Sequence, residues 1–439
     1  MRYAEEPAGS PGPLTNAEAR KLSRRHFLKK SSLATLFGLT GVTEIAAERP
    51  RRFAPADRRA EVMNIGLIGY GAWGREIAAM LARIPEATLK TVCDTYDVMQ
   101  RRAAREVPEA AFVADYRAVL DDPDIHAVVI ATPTHRHREI AVAALEAGKH
   151  VYCEAPMAST IDDARAMARA ARAHPDLIFH VGQQYRADPQ YLSVAKFIRG
   201  GALGRMTMAR AQWHAKQSWR RPSPNRERQR EQNWRLDADV SLGLAGEIGI
   251  HQIDTALWFH GARPVSVTGF GQILLWDDGR RVPDTIQAVL AFPDGVHMLY
   301  DATLTSSFDD AYDVFLGKDS TILMRESKAW MFKEVDAPML GWEVYARRDK
   351  FYKEEGIALL ANATKLDAQD LGPTDPIPGV EPTLYYALKE FTDNFFFGPF
   401  EPSVNYVRGY EAAVIAIKTH EATMQNTRID LEDAWFEIG

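Results

Sequence analysis

The spacing of apolar residues changes character along this chain. Residues 1 to about 61 hold one mild apolar stretch, Ser31 to Ala47, among Ala, Arg, Pro and Glu, and no sustained periodicity follows it. From Val62 onward, short unbroken apolar runs alternate with helical spacing. Val62–Ile68 predicts a first strand, Arg75–Arg83 a helix and Thr88–Cys93 a second strand, and Ala127–Ala131, His150–Cys153 and Ile178–Val181 continue the series. Strands that are apolar throughout and separated by helices imply a parallel sheet covered on both faces. After a helix near Tyr191–Arg199, the runs between Val265 and Met324 lengthen and alternate, with Pro293-Asp294-Gly295 and Gly317-Lys318-Asp319 as turn signals. These predict hairpins of a largely antiparallel sheet. Val404–Met424 has the spacing of a closing amphipathic helix. The expected organisation is a leader and linker over residues 1–61, a doubly wound α/β domain over 62–182, and an α+β domain with a mostly antiparallel open sheet over 183–439. A broad sheet with helices on one face leaves the other available, so self-association into a homo-oligomer is expected.

Composition narrows the picture little. The chain has 439 residues, a net charge of -6 and a pI near 6.1, which gives no global attraction to nucleic acid or to an anionic membrane. Ser31–Ala47 is too short and too weakly apolar for a confident membrane span. The residues before it matter more: Ser23-Arg24-Arg25-His26-Phe27-Leu28-Lys29 resembles a twin-arginine export signal. The expectation is export of a folded protein by the twin-arginine translocation machinery to a periplasmic or extracytoplasmic site, with any cofactor loaded beforehand and tightly held. No clean Ala-x-Ala marks a cleavage point. Cys93 and Cys153 both end predicted strands and are read as free, buried thiols.

Chemistry enters at the end of the first predicted strand. Gly69-Tyr70-Gly71-Ala72-Trp73-Gly74 is a G-x-G-x-x-G between a strand and a helix. Gly69 permits the tight turn, Gly71 lets backbone approach a pyrophosphate, and Gly74 permits close helix packing, so the amides of the helix start face an anion. Asp94 closes the second strand, where an acid reaches the hydroxyls of an adenosine ribose. The combination predicts a Rossmann dinucleotide site. An acid at Asp94 repels a 2'-phosphate, favouring NAD, while Arg101 and Arg102 lie close enough in sequence to keep NADP open.

Further motifs carry a family resemblance. Ala131-Thr132-Pro133-Thr134 with His137, then Ala147-Gly148-Lys149-His150-Val151-Tyr152-Cys153-Glu154, Val181-Gly182-Gln183 and Gly246-Glu247-Ile248-Gly249-Ile250-His251-Gln252-Ile253-Asp254 closely resemble the glucose-fructose oxidoreductase and inositol dehydrogenase family, Gfo/Idh/MocA. The likeness extends to about residue 425. It implies that Thr132, Pro133 and His137 lie by the nicotinamide half of the cofactor, that Thr134 belongs to the same cofactor site, and that Glu154 and Gln183 help to hold it. It also implies a sugar or polyol as substrate. This family's segment after the fourth strand normally reads Glu-Lys-Pro, the lysine orienting the substrate hydroxyl and the proton relay; here it reads Glu154-Ala155-Pro156, and the ammonium is absent. The second acidic position, usually Asp, is matched by Glu247.

His251 is the expected general base, because removing a hydride from a carbinol carbon requires deprotonating its hydroxyl and an imidazole titrates near neutrality. Glu247, His251 and Asp254 are spaced by four and three residues, as on one helix face, with Asp254 the more structural of the three. Tyr185, Arg186, His214 and Lys216 are candidates for the lysine's role. The stretch Gln212–Arg235 interleaves Trp213, Trp219 and Trp234 with six arginines and reads as a substrate loop. No Cys/His spacing suggests a metal site. Two alternatives remain beside a dehydrogenase: a hydrolase or lyase that oxidises a glycoside transiently with no net redox, and a non-catalytic protein that keeps a cofactor as structure.

Overall fold

The computed structural model describes residues 61–439 apart from 326–327, 352–353, 360, 362–379 and 399–400. The twin-arginine segment Ser23–Lys29 and nearly all of the 1–61 linker lie outside the described residues. No helix among those described is long and apolar enough to cross a membrane.

Two sheets organise the chain. The first holds six strands: β1 (Met63–Ile68), β2 (Ala87–Cys93), β3 (Ala111–Val113), β4 (Ala127–Ile130), β5 (His150–Cys153) and β6 (Phe179–Val181). Their order is β3-β2-β1-β4-β5-β6 and every pairing is parallel, the doubly wound arrangement whose order reverses between β1 and β4. Ile65, Leu67, Val129 and Ile130 are fully buried, as the unbroken apolar runs require of strands covered on both faces.

The second sheet has ten strands, β7 (Met206–His214), β8 (Ser266–Gln272), β9 (Thr285–Ala291), β10 (His297–Thr303), β11 (Ala311–Gly317), β12 (Ser320–Arg325), β13 (Lys328–Lys333), β14 (Arg348–Phe351), β15 (Glu354–Ala358) and β16 (Arg428–Asp430). They run β14-β15-β13-β12-β11-β7-β10-β9-β8-β16. All its pairings are antiparallel except β7 with β10. Here burial alternates: Ile286, Ala288 and Leu290 are buried, while Phe270 and Leu299 stand exposed on neighbouring strands. That is the mark of a sheet covered on one face.

Helices near the C-terminus join the sheets. Thr383–Phe397 packs Leu384, Leu388 and Phe391 into the core of β1 and β4. Helix Tyr406–Gln425 sends Tyr410 and Val414 into the core around β5 and β6, and Ile415 and Ala422 into the core of the second sheet. Residues long after 183 therefore complete the first domain.

Candidate active site

A cavity of about 1570 Å³ opens at the C-terminal ends of β1, β2, β4 and β5 and is roofed by residues from the second half of the chain. This is the topological switch point at which doubly wound sheets bind ligands.

Each glycine of the first turn has a separable structural reason. Gly69 has φ +99°, and a Cβ there would sit 2.6 Å from the Ala131 carbonyl oxygen. A Cβ on Gly74 would fall 2.0 Å from the Gly69 oxygen, so helix Ala72–Leu81 packs against the turn only because that atom is missing. A Cβ on Gly71, by contrast, would meet no protein atom within 4 Å, and Gly71 lines the cavity. The helix start has no side-chain cap and no acid in its first turn, so its amides and the positive end of its dipole stay available to an anion. Ala72 and Trp73 line the cavity, whereas Tyr70 is buried with its hydroxyl donating to Glu106 at 3.2 Å, so only its backbone belongs to the turn.

Asp94 accepts from the Tyr70 amide and the Tyr96 amide, each at 2.8 Å, which draws the turns after β1 and β2 together. Burial holds its carboxyl above the usual range, against those two hydrogen bonds. After β4, Thr132, Pro133 and Thr134 line the cavity. His137 turns one ring nitrogen to the Thr132 carbonyl (2.9 Å) and the other to the Pro156 carbonyl (3.0 Å), stapling the β4 loop to the segment after β5. Burial brings its pKa down to about 4, so it is neutral and donates to one carbonyl at a time. Glu154 is pushed up to about 8 by burial. Gln183 is buried with neither amide atom partnered and does not line the cavity; its neighbours Gln184 and Tyr185 do.

Glu247 and His251 share the cavity but not one helix. Glu247 ends a short helix, Gly243–Glu247, and His251 opens the next, Ile250–His260. The chain bends between them, so both face the cavity while Asp254 turns away to form a two-pronged ion pair with Arg186 at 2.7 and 2.9 Å. The expected single face of three residues is thus broken by the bend. Glu247 accepts from the Thr134 hydroxyl at 3.0 Å and the Leu242 amide at 3.2 Å. Burial raises its pKa, with the Arg235 guanidinium the largest opposing influence. His251 is lowered to about 4 by burial, and its Nδ1 is buried without a partner. Its ring lies 5.6 Å from Tyr185, which stacks on Tyr191 at 4.4 Å.

Of the candidates for the lysine's role, only Tyr185 lines the cavity. Arg186 is committed to Asp254. His214 is held between Asp301 (2.7 Å) and the Phe308 carbonyl (3.0 Å), the Lys216 amide donates to Ser307, and Trp219, at φ +63°, packs against Trp213. None of these four borders the cavity. Ala155 does, against the apolar Ile250, Ala412 and Ala416. Arg235 is the cation the sequence did not single out: it lines the same cavity, stacks on Trp234 at 4.8 Å, and makes no ion pair or hydrogen bond among the described residues. Burial lowers its pKa and the Glu247 carboxylate supports its charge. The only sequence signal was an arginine–tryptophan cluster, which does not say which arginine points inward. Cys93 and Cys153 are free and buried, and no group of His, Cys, Asp or Glu among the described residues could hold a metal ion.

A parallel doubly wound sheet with an uncapped glycine turn, an acid closing β2, and Thr132, Glu154 and His251, each with a buried unpartnered polar atom, lining one cavity defines a dinucleotide-binding fold. Comparison with known proteins makes the class specific. The model of the oxidoreductase family with an NAD-binding Rossmann fold matches residues 63–183, and that of the GFO/IDH/MocA C-terminal domain matches 191–322. The chain belongs to the Gfo/Idh/MocA oxidoreductase family. It is 34% identical over 208 residues to levoglucosan dehydrogenase of Pseudarthrobacter phenanthrenivorans, a match covering 45% of this chain and 51% of that protein, so it spans about half that relative's length. To the NADP-dependent scyllo-inositol 2-dehydrogenase of Bacillus subtilis it is 25% identical over 273 residues, covering 61% and 70% of the two. A solved levoglucosan dehydrogenase in complex with NADH and levoglucosan aligns with TM-score 0.68 and 24% identity over 84% of this chain and 100% of that one, a likeness of fold.

Proposed function

We propose that the protein is an NAD(P)-dependent dehydrogenase acting on a secondary hydroxyl of a sugar, polyol or glycoside. The observation that carries this is His251, neutral at ordinary pH, with an unpartnered ring nitrogen, beside Glu247 in the cavity that the Gly69–Gly74 turn borders. The dinucleotide, when bound along that turn, supplies the hydride acceptor. The chain's own residues do the rest. His251 accepts the hydroxyl proton. Thr134 and the Leu242 amide hold Glu247 in place, and Arg235 supplies the positive charge that Ala155 does not. His137 fixes the β4 loop, and Glu154 forms a buried polar wall beside it.

Initial rates of NAD and NADP reduction with levoglucosan, myo-inositol and scyllo-inositol as probes, in the wild type and His251→Ala, test the reading. Reduction by at least one probe, lost in the variant, is expected; equal rates in both proteins would remove His251 from the chemistry. The apolar setting of Ala155 favours a second reading, transient oxidation of a glycoside with elimination and no net redox. Cleavage of an aryl glycoside with deuterium uptake from deuterated water, without added acceptor, would select it. Export rests on Ser23–Lys29 alone: replacing Arg24 and Arg25 with Lys should retain the protein in the cytoplasm on fractionation. Self-association through the open face bearing Phe270 and Leu299 should show as a dimer or larger species in light scattering.

A further inference from the structure

Residues 218–235 cross the cavity as a strap. One end is held where Arg280, paired with Asp278 at 2.7 Å, donates to the Ser218 carbonyl. The other closes on itself, Asn233 accepting from the Arg221 amide at 2.7 Å and donating to the Arg221 carbonyl at 3.0 Å, while Arg230 pairs with Asp237 at 2.8 Å. Between them lies helix Arg226–Gln232, capped by Asn225 and burying none of its residues. Its attachment to the first domain is made by Arg228. That guanidinium donates to the Thr95 hydroxyl at 3.1 Å and to the Thr95 carbonyl, stands over the Tyr96 ring at 5.0 Å, and is steadied by Glu231 at 2.8 Å. Thr95 and Tyr96 directly follow Asp94, the acid placed for the adenosine ribose. Further along, Trp234 meets His135 of the β4 loop edge-on at 6.2 Å. The strap therefore touches both rims of the cavity and lines it from the β2 turn to Glu247.

We propose that this strap is a retention latch for the dinucleotide, with Arg228 as its catch on the turn after β2. The proposal rests on the reading that the cavity holds a dinucleotide, and it adds how that ligand is kept. A helix with no buried side chain has little hydrophobic stabilisation, so opening the latch mainly breaks the Arg228 contacts and loading stays possible. Once shut, the strap covers the ligand's adenosine end, and release waits on opening. A protein carried through export already loaded would need such slow release.

The full-length chain, loaded with NADH, is mixed with excess NAD and the loss of NADH fluorescence is followed in the wild type, Arg228→Ala and Arg228→Lys. Arg228→Ala should release NADH at least tenfold faster, with Arg228→Lys in between. Trypsin digestion of the wild type supplies an independent readout, since cleavage after Arg226, Arg228 and Arg230 should slow when NADH is bound. Equal release rates in the wild type and Arg228→Ala, or strap cleavage unaffected by NADH, would overturn the latch while leaving dinucleotide binding intact. A wild type with no affinity for NADH would overturn both.

Discussion

The pair Gly71→Ala and Gly74→Ala isolates the cradle's function from its fold. At Gly74 the new methyl would lie 2.0 Å from the Gly69 carbonyl oxygen, a backbone atom of a turn already held at φ +99°. Neither side can yield cheaply, and overpacking of this kind costs about 1–3 kcal/mol. Alanine's helix preference offsets up to about 1 kcal/mol of it. Gly74→Ala should therefore lower Tm by a few degrees. At Gly71 the methyl would meet no protein atom within 4 Å, so stability should stay within about 0.5 kcal/mol of the wild type, as for an unremarkable surface change. Its methyl would instead occupy the approach that a pyrophosphate needs. NADH affinity should fall at least tenfold, a loss of about 1.4 kcal/mol or more. Thermal melts and NADH fluorescence titration on the same preparations read the two quantities. Should Gly71→Ala bind NADH like the wild type, the anion is not seated at this helix start, and the case for the cofactor site fails at its centre.

The remaining predictions concern the catalytic end. His251→Asn, which keeps size and polarity but not basicity, should lower kcat about 10²- to 10⁴-fold with NADH affinity unchanged. A base must be neutral, so activity is present above the His251 pKa and lost below it; with burial lowering that pKa to about 4, the acid limb of kcat/KM should fall below pH 5, and a midpoint near 6.5 would contradict the burial argument. Arg235→Met should cost about 10- to 100-fold in kcat/KM, the worth of a charge-assisted hydrogen bond. Arg235→Lys should recover part of it; no loss in Arg235→Met would mean that the cation is idle.

Much of the first domain was legible because its signals are local. Unbroken apolar runs announce strands buried on both sides, and the predicted Val62–Ile68 and Thr88–Cys93 differ from β1 and β2 by one residue at their starts. The alternation after Val265 likewise foretold a sheet with one covered face. Pairing order was not legible: β7 lies between β10 and β11, parallel to one and antiparallel to the other, and no spacing within Met206–His214 encodes which strands it will meet. Helix Thr383–Phe397, which completes the core beside β1, had the same difficulty, since its partners lie some three hundred residues away in sequence.

The site divides along the same line. Residue types and their spacing determined on their own that a glycine turn would close against an acid ending the next strand, because backbone geometry at Gly69 and the reach of Asp94 are short-range constraints. Tertiary structure alone decided which side chains surround the reacting end. The bend after Glu247 put Glu247 on a different helix from His251 and Asp254, packing against the 3-10 turn after β6 gave Asp254 to Arg186, and the path of the strap brought Arg235 to Glu247 and Arg228 to Thr95. A side chain's charge is written in the sequence, but the neighbours that stabilise, bury or spend that charge are set only when distant segments pack together.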